Sequence, residues 1–361
     1  NANSAGRLRS PLSKAWRGRF AGTLITRSGG ARSWSAATLL IAGASALRAA
    51  LREMIRVLVL GSSGQVGRSL SALTWPADMD VVFCRRDRVN LAQPDSIAEE
   101  MLSGRYDIVV NAAAWTDVEG AEDHEAEAFR ANADGPASLA KLCAEEGACL
   151  LHLSTDYVFD GSACGDHDED HPIHPLGVYA RSKAAGEEGV RAALDRHVIL
   201  RTAWVYSPFG KNFVTTMLRL GAERDELKVV DDQMGNPTPA GAIALAILAI
   251  AARVKERQAI WGTYHFAGRP WTTWHGLADA VFDAAAPIWG RRPALQPILA
   301  REWPSKVDRP QNTRLDCSRI ERDYGIVAPY WRVDVTSLVA ELLRVTSASD
   351  PLTNGKPERS Q

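Results

Sequence analysis

The sequence has few cysteines, no long apolar run and almost no net charge. Its five cysteines are an odd number without a C-x-x-C pair, which argues against a disulfide framework or a structural zinc site and indicates a reducing, cytoplasmic location. The apolar stretch from Ala36 to Leu47 has twelve residues, whereas a bilayer-spanning helix needs about 20, so no membrane partner is predicted. A net charge of −1 with 46% hydrophobic residues excludes disordered, fibrous and nucleic-acid-coating proteins.

The near-zero charge hides two unequal parts of the chain. Residues 1–53 carry nine Lys or Arg and one acid, whereas the remaining residues carry 33 basic and 42 acidic side chains. The basic segment is rich in Arg and Ser and resembles an organelle transit peptide. We favour the alternative that it is an extension outside the fold, with Met54 opening the first strand directly. Residues 350–361 are predicted to be a polar tail.

From Met54 onward, short apolar runs alternate with longer helical patterns, as in βαβ units. The apolar runs predict buried strands at residues 55–60, 80–84, 108–111, 149–154 and 198–200. The helical patterns cover residues 65–73, 95–102, 119–146 and 181–194, and, after a looser stretch, residues 213–224, 240–254, 273–285 and 335–345. We therefore predict an α/β fold: a Rossmann-type doubly wound parallel sheet in residues 54–205, and a smaller mixed C-terminal substrate lobe in residues 206–349. The later lobe is expected to return partly to the sheet.

A glycine-rich turn follows the first predicted strand. Its sequence is Gly61-Ser62-Ser63-Gly64-Gln65-Val66-Gly67, spaced G-x-x-G-x-x-G. Such glycines allow a tight turn and let the backbone approach a pyrophosphate, which then sits at a helix N-terminus. Arg85 and Arg86 follow the second strand, where an acid would bond the ribose 2′-hydroxyl. Arginine there can pair with a 2′-phosphate, so Arg85 favours NADPH over NADH, the alternative being two solvated side chains.

A second group of polar residues has the types needed for proton transfer to a carbonyl. Tyr179 and Lys183 are four residues apart on a predicted helix, so both lie on one face, and we expect the ammonium to lower the pKa of the phenol. Thr155 lies at the C-terminal end of a buried strand, where open α/β sheets bind ligands. Its hydroxyl could share a substrate oxygen with Tyr179.

Five segments resemble dTDP-4-dehydrorhamnose reductases, a family of the extended short-chain dehydrogenase/reductase superfamily. The segments are Asn111-Ala112-Ala113-Ala114-Trp115-Thr116, Ser154-Thr155-Asp156-Tyr157-Val158-Phe159-Asp160-Gly161, Arg201-Thr202-Ala203-Trp204-Val205-Tyr206, Asp232-Gln233-Met234-Gly235-Asn236-Pro237-Thr238 and Arg309-Pro310-Gln311-Asn312-Thr313-Arg314-Leu315-Asp316. The resemblance extends over residues 54 to about 345.

The resemblance implies roles for individual residues. The cofactor would be bound by residues of the glycine-rich turn and of the following strand ends, namely Gly61, Gly64, Gln65, Val66, Gly67, Arg85, Asn90, Leu91, Ala112, Ala113, Ala114, Tyr179 and Lys183. The catalytic set would be Thr155, Tyr179 and Lys183. The substrate would be bound by Thr155, Asp156 and Trp204.

The resemblance also implies the reaction and the partners. NADPH (or NADH) would reduce the C4 keto group of dTDP-4-dehydro-6-deoxy-L-mannose, with Tyr179 as proton donor, to give dTDP-L-rhamnose. A dTDP-sugar is the expected partner, with no nucleic acid and no membrane, and a homodimer is the assembly to be tested. The alternatives are a non-catalytic NADP-binding subunit of the methionine adenosyltransferase β type and a sugar-nucleotide epimerase or dehydratase. A dehydratase would need a Glu after Asp156, where this chain has Tyr157.

Three further groups of residues are given structural interpretations. The segment His167-Asp168-Glu169-Asp170-His171 with His174 is predicted to be an acidic surface loop, and no metal site is predicted. The resemblance implies that Glu169 lies near the rim of the active site. The aromatic residues Trp271, Trp274, Phe282 and Trp289 are predicted to belong to the core of the second lobe. Two interpretations of Arg309 and Arg314 have equal weight: contact with the diphosphate of the substrate, or a structural salt bridge.

Overall fold

Six parallel strands form the central sheet of the computed structural model, which describes residues 54–348. The sheet has the order β2-β1-β3-β4-β5-β10. Its strands are β1 (Ile55–Leu60), β2 (Met79–Cys84), β3 (Ile108–Asn111), β4 (Cys149–Thr155), β5 (His197–Thr202) and β10 (Gly262–His265). The predicted basic extension and polar tail lie outside the described residues.

The strand order reverses between β1 and β3, because β2 pairs with one edge of β1 and β3 with the other. In doubly wound sheets, ligands bind beyond the carboxyl ends of the strands at such a reversal. Leu60 at the end of β1 is in register with Asn111 at the end of β3. The residues that follow these two strands therefore meet at one edge of the sheet.

Helices cover both faces of the sheet. The helices of the first part are α1 (Gln65–Ser71), α2 (Pro94–Gly104), α3 (Val118–Asp123), α4 (Glu125–Phe129), α5 (Gly135–Glu146) and α6 (Val178–Ala193). Val57 and Val59 of β1 face a cluster that includes α1, whereas Leu58 and Leu60 face a cluster with α2, α5 and α6. Full burial of each such side chain contributes roughly 1.5–3 kcal/mol.

Residues after 205 contribute to the sheet and to a separate hydrophobic cluster. The remaining helices are α7 (Phe213–Glu223), α8 (Ala240–Lys255), α9 (Trp274–Trp289), α10 (Ser318–Tyr324) and α11 (Trp331–Ala348). The remaining strands are β6 (Val205–Tyr206), β7 (Glu226–Val230), β8 (Met234–Gly235), β9 (Thr238–Pro239), β11 (Thr272–Thr273) and β12 (Ala294–Ile298). Helix α8 packs on the sheet beside α1, whereas α7, α9, α11 and the β7–β12 pair enclose the separate cluster.

The structure differs from the sequence prediction in one long helix and in the elements after residue 204 that were not predicted, which are β6–β12 and α10. The helix predicted over residues 119–146 is interrupted at His124, whose backbone is not helical, and contains a π-helical turn at Arg130–Asp134. Strand β10 was not predicted, because its sequence Gly-Thr-Tyr-His has little apolar character. None of the helices in the described part of the chain combines the length and apolar character that a membrane crossing requires.

Candidate active site

A cavity of about 670 Å³ lies at the carboxyl ends of β1, β3 and β4. It brings together fourteen of the sixteen residues predicted for the site. These are Gly61, Gly64, Gln65, Val66, Asn90, Leu91, Ala112, Ala113, Ala114, Thr155, Asp156, Tyr179, Lys183 and Trp204. Gly67 and Arg85 are not among the residues that line it. The cavity therefore coincides with the sheet edge at which doubly wound folds bind nucleotides.

The glycine-rich turn fits tightly against the loop after β3. Gly61 has φ +78°, and a Cβ atom there would lie 2.6 Å from the Ala113 backbone nitrogen, so only glycine is tolerated. A Cβ atom at Gly67 would lie 2.2 Å from the Gly61 carbonyl oxygen. Gly67 therefore permits close packing of α1 against the turn.

The side chain of Gln65 connects the turn to the segment before α7. Its Oε1 atom accepts hydrogen bonds from the Ser207 hydroxyl at 2.8 Å and from Asn212 Nδ2 at 3.1 Å. Asn212 also caps α7 through the Thr215 backbone N–H at 3.1 Å. Because Phe209, Gly210 and Lys211 of this segment line the cavity, Gln65 joins both sides of the site.

The arginine that faces the cavity is Arg86 and not Arg85. Arg86 lines the cavity, whereas the Arg85 carbonyl oxygen accepts the backbone N–H groups of Arg88 and Val89, at 3.1 Å and 3.0 Å. The turn that begins at Arg85 carries the next residue to the cavity wall. Of the two arginines, Arg86 is therefore the one placed to contact a ligand in the cavity.

The three predicted catalytic residues lie on one wall of the cavity. Thr155 is the last residue of β4, Tyr179 lies in the first turn of α6, and Lys183 is one turn further on. Lys183 Nζ donates a hydrogen bond to the Leu153 carbonyl oxygen at 2.7 Å. Burial lowers the pKa of Lys183 to about 8, opposed by the charge of Glu187.

The pKa of Tyr179 is raised and not lowered, which corrects the sequence-based expectation. Burial raises the pKa of the phenol, as do the neighbouring Asp156 and Tyr157, and the Thr155 hydroxyl opposes this through a hydrogen bond. Lys183 is directed to the Leu153 carbonyl instead. At neutral pH the phenol is therefore protonated and available as a donor.

Asp156 is the second titratable group beside Thr155. Its side chain is buried, its Oδ1 atom accepts a hydrogen bond from the Thr155 hydroxyl at 3.1 Å, and its Oδ2 atom has no hydrogen-bond partner. Burial raises the pKa of Asp156 to about 7, opposed by hydrogen bonds from Thr313 and Thr155. The carboxyl group can therefore be protonated or ionised near neutral pH.

Asn132 was not singled out from the sequence, yet it holds two walls of the site together. It lies in the π-helical turn and is fully buried. Its Oδ1 atom accepts the Trp115 backbone N–H at 2.8 Å, and its Nδ2 atom donates to the Ser182 hydroxyl at 3.0 Å. Gly186 lets α6 approach the π-helical turn closely, because a Cβ atom there would lie 2.0 Å from the Asn132 carbonyl oxygen. Inserted π turns are frequent at functional sites.

A buried ion pair that the sequence analysis also missed supports α6. Glu187, one turn after Lys183, is fully buried and accepts two hydrogen bonds from Arg201 of β5, at 2.7 Å and 2.9 Å. Arg191 adds a third contact at 3.1 Å. Burial opposes ionisation of Glu187, but the two arginines hold its pKa below the usual value. The pair fixes the helix that carries Tyr179 and Lys183 to the sheet.

The predicted acidic surface loop is partly buried. His167 stacks on Phe159 with ring centroids 4.3 Å apart, and Glu169 accepts the His265 backbone N–H at 2.9 Å and pairs with Arg319 at 3.3 Å. Glu169 does not line the cavity that contains Thr155, Tyr179 and Lys183. Within residues 54–348, no group of three or more His, Cys, Asp and Glu side chains could hold a metal ion.

Both arginines whose role was left open form salt bridges. Arg309 pairs with Glu119 at 2.9 Å and also interacts with the Tyr157 phenol. Arg314 pairs with Asp166 at 3.2 Å. Glu119 further accepts the Ser305 hydroxyl at 2.7 Å, so this carboxylate anchors the segment before Arg309 to α3.

The aromatic residues predicted as core separate into three environments. Phe282 is buried in the separate cluster and Trp289 packs beside it, with ring centroids 6.2 Å apart, but Trp271 is 44% exposed. Trp274 lines the cavity and stacks on Trp204. The core prediction is therefore wrong for Trp271 and incomplete for Trp274.

Comparisons with known proteins agree on one group of relatives. The family model described as RmlD substrate binding domain matches residues 55–344. The dTDP-4-dehydrorhamnose reductase of Sinorhizobium fredii is 40% identical over 291 residues, which are 80% of this chain and 98% of that protein. Two solved structures, the dTDP-4-dehydrorhamnose reductase of Clostridium acetobutylicum and that of Bacillus anthracis in complex with NADP, each give a TM-score of 0.74 at 29% identity. Each comparison covers 80% of this chain and 99% of the other.

Proposed function

The chain belongs to the RmlD family of dTDP-4-dehydrorhamnose reductases, and we propose that it reduces dTDP-4-dehydro-6-deoxy-L-mannose to dTDP-L-rhamnose. The enzyme is an NAD(P)H-dependent oxidoreductase. The observation that supports the proposal most directly is that Thr155, Tyr179 and Lys183 line the same cavity as the glycine-rich turn after β1. A non-catalytic subunit is not favoured, because the relatives are reductases.

The residues of the cavity suit a dinucleotide cofactor. Gly61 and Gly64 line the cavity as parts of the turn whose backbone a pyrophosphate would approach, and the small side chains of Ala112–Ala114 leave room for a flat ring. When bound, the reduced nicotinamide supplies the hydride that adds to the C4 carbonyl carbon. The cofactor is NADPH or NADH.

The chain's own residues supply the proton and the orientation. Tyr179 carries a proton at neutral pH and donates it to the oxygen that becomes the C4 hydroxyl group. The Thr155 hydroxyl, which lines the same cavity, would share that oxygen, and the Lys183 ammonium adds positive charge there. Trp204 and Asp156 would bind the sugar. One hydride and one proton are consumed for each carbonyl reduced.

The location and the partners are further parts of the proposal. All five cysteines lie in the described part of the chain and are unpaired, which supports a cytoplasmic location. Residues 54–361 carry nine more acidic than basic side chains, which disfavours a nucleic-acid partner. We propose a second copy of the same chain as its protein partner.

An absorbance assay of NADPH oxidation tests this function. The keto sugar is generated in place from dTDP-glucose by the two enzymes that precede this step. We expect NADPH to be consumed in proportion to the keto sugar and dTDP-L-rhamnose to accumulate, with dTDP-glucose alone as the control that gives no oxidation. NADPH binding without oxidation would instead support the non-catalytic alternative.

Arg86→Ala should lower the preference for NADPH over NADH. A guanidinium that pairs with the 2′-phosphate is lost, and a charge-assisted hydrogen bond of this kind corresponds to about a tenfold change or more in affinity. The measurement is kcat/KM for both cofactors. Arg85→Ala is the matched control and should leave the ratio within about twofold. A fall of the ratio in Arg85→Ala, with none in Arg86→Ala, would restore the sequence-based assignment.

A further inference from the structure

Trp204 lies against the cavity in a conformation that few tryptophans adopt. Its backbone has φ +42°, which is unfavourable for a bulky side chain and therefore needs support from its surroundings. On one side the indole lies against β8, where a Cβ atom at Gly235 would come within 2.4 Å of Trp204 Cε2. Glycine at this position is what leaves room for the ring.

Trp274, the first residue of α9, provides the second support. Its indole is stacked on that of Trp204, with ring centroids 3.5 Å apart and planes 6° apart. Trp274 is itself fixed from other elements: its Nε1 atom donates to Gln233 Oε1 at 3.2 Å, and the ring of Phe213 lies 4.7 Å away. Because both indoles line the cavity, they form one aromatic surface, the Trp204–Trp274 pair.

We propose that Trp274 is a positioning residue for the sugar site: it holds Trp204 in the orientation in which Trp204 packs on the sugar. This inference rests on the proposed function. The sugar of a 6-deoxy nucleotide presents a methyl group and C–H bonds, which suit an aromatic surface. Without its stacking partner, Trp204 is free to leave the strained conformation, so substrate binding should suffer while the proton donor and the cofactor turn remain intact.

Trp274→Ala is the first test. A stacked aromatic pair corresponds to roughly a twofold to tenfold effect on an equilibrium, so KM for the keto sugar should rise within that range. The Kd for NADPH should stay within twofold and kcat should change less than KM. In the free Trp274→Ala enzyme, the circular dichroism band that arises from coupling of the two stacked indoles should be absent. This measurement does not depend on turnover.

Trp289→Ala is the matched control, because Trp289 ends the same helix and packs on Phe282 away from the cavity. It removes an equally large side chain and should change neither KM nor the indole band. Gly235→Ala displaces Trp204 while keeping Trp274, so it should reproduce the rise in KM and the loss of the band. This second variant keeps the inference testable if Trp274→Ala fails to fold.

The outcomes separate the two proposals. If the wild-type enzyme turns over normally and folded Trp274→Ala or Gly235→Ala keeps the wild-type KM, the positioning role is overturned and the proposed function is not. An equal rise of KM in Trp289→Ala also overturns it, because the effect would then be one of general packing. A wild-type chain that shows the indole band but does not oxidise NADPH with the keto sugar overturns the proposed function.

Discussion

Tyr179→Phe lowers kcat for the keto sugar by about 10²-fold to 10⁴-fold, the range that a positioned general acid contributes. Burial raises the pKa of the Tyr179 phenol, so this group is protonated at neutral pH and can donate its proton. Phenylalanine preserves the edge-on contact with Tyr157, whose ring centroid lies 5.9 Å away. Since only one oxygen is lost, the Kd for NADPH should remain within about threefold. Single-turnover and steady-state rates of NADPH oxidation measure the effect.

Tyr157→Phe is the comparison for this variant, because it removes a hydroxyl group from the neighbouring ring. Its phenol interacts with Arg309 and not with Thr155, so kcat should fall by less than about tenfold. Equal losses in the two variants would show that the effect is not specific to the Tyr179 hydroxyl. Tyr179→Phe with kcat near the wild-type value would remove Tyr179 from the reaction.

The elements that the sequence predicted well are those that local chemistry determines. Strands β1 and β3 begin and end at the predicted residues, because each is a short apolar run, broken only by Arg56 in β1, that is followed by Gly61 or ends at the polar Asn111. The residues that follow such runs must meet where the strand order reverses. This is why most of the predicted site residues share one cavity, although they are spread over 144 positions from Gly61 to Trp204.

The features that the sequence could not reveal depend on contacts between distant segments. Asn132 and Glu187 are polar residues in helices, and a polar residue in a helix usually faces solvent. Only the approach of Trp115 and Arg201 from other elements makes these two residues buried partners. The choice between two adjacent arginines, and the stacking of Trp274 across 70 positions onto Trp204, likewise require the folded chain.

The pKa expectation for Tyr179 was wrong for a related reason. Spacing of four residues places Tyr179 and Lys183 on one face of α6 but does not determine which acceptor the ammonium chooses. The Leu153 carbonyl oxygen takes that hydrogen bond, so burial dominates the titration of the phenol. A protonated tyrosine serves carbonyl reduction well, because the reaction needs a proton donor.

Glu187→Leu should lower the free energy of unfolding by about 3–5 kcal/mol, the cost of leaving one partner of a buried ion pair without its counter-charge. Arg201 is only 3% exposed, so its guanidinium cannot recover hydration after Glu187 is lost. The substitution also removes the negative charge that raises the pKa of Lys183, so this ammonium should lose its proton at a lower pH. Urea denaturation at fixed pH measures the stability.

Two further variants decide whether the buried charge is the cause. Glu127→Gln removes an ion pair with Arg130 in which both side chains are about half exposed, and it should change stability by less than about 1 kcal/mol. Glu187→Leu combined with Arg201→Leu should recover most of the loss, because no buried charge is then left unpaired. If the double variant is as unstable as Glu187→Leu alone, the loss comes from packing around α6 and not from an unpaired guanidinium. Kinetic assays of the double variant then measure how much the ion pair between α6 and β5 contributes to the positions of Tyr179 and Lys183.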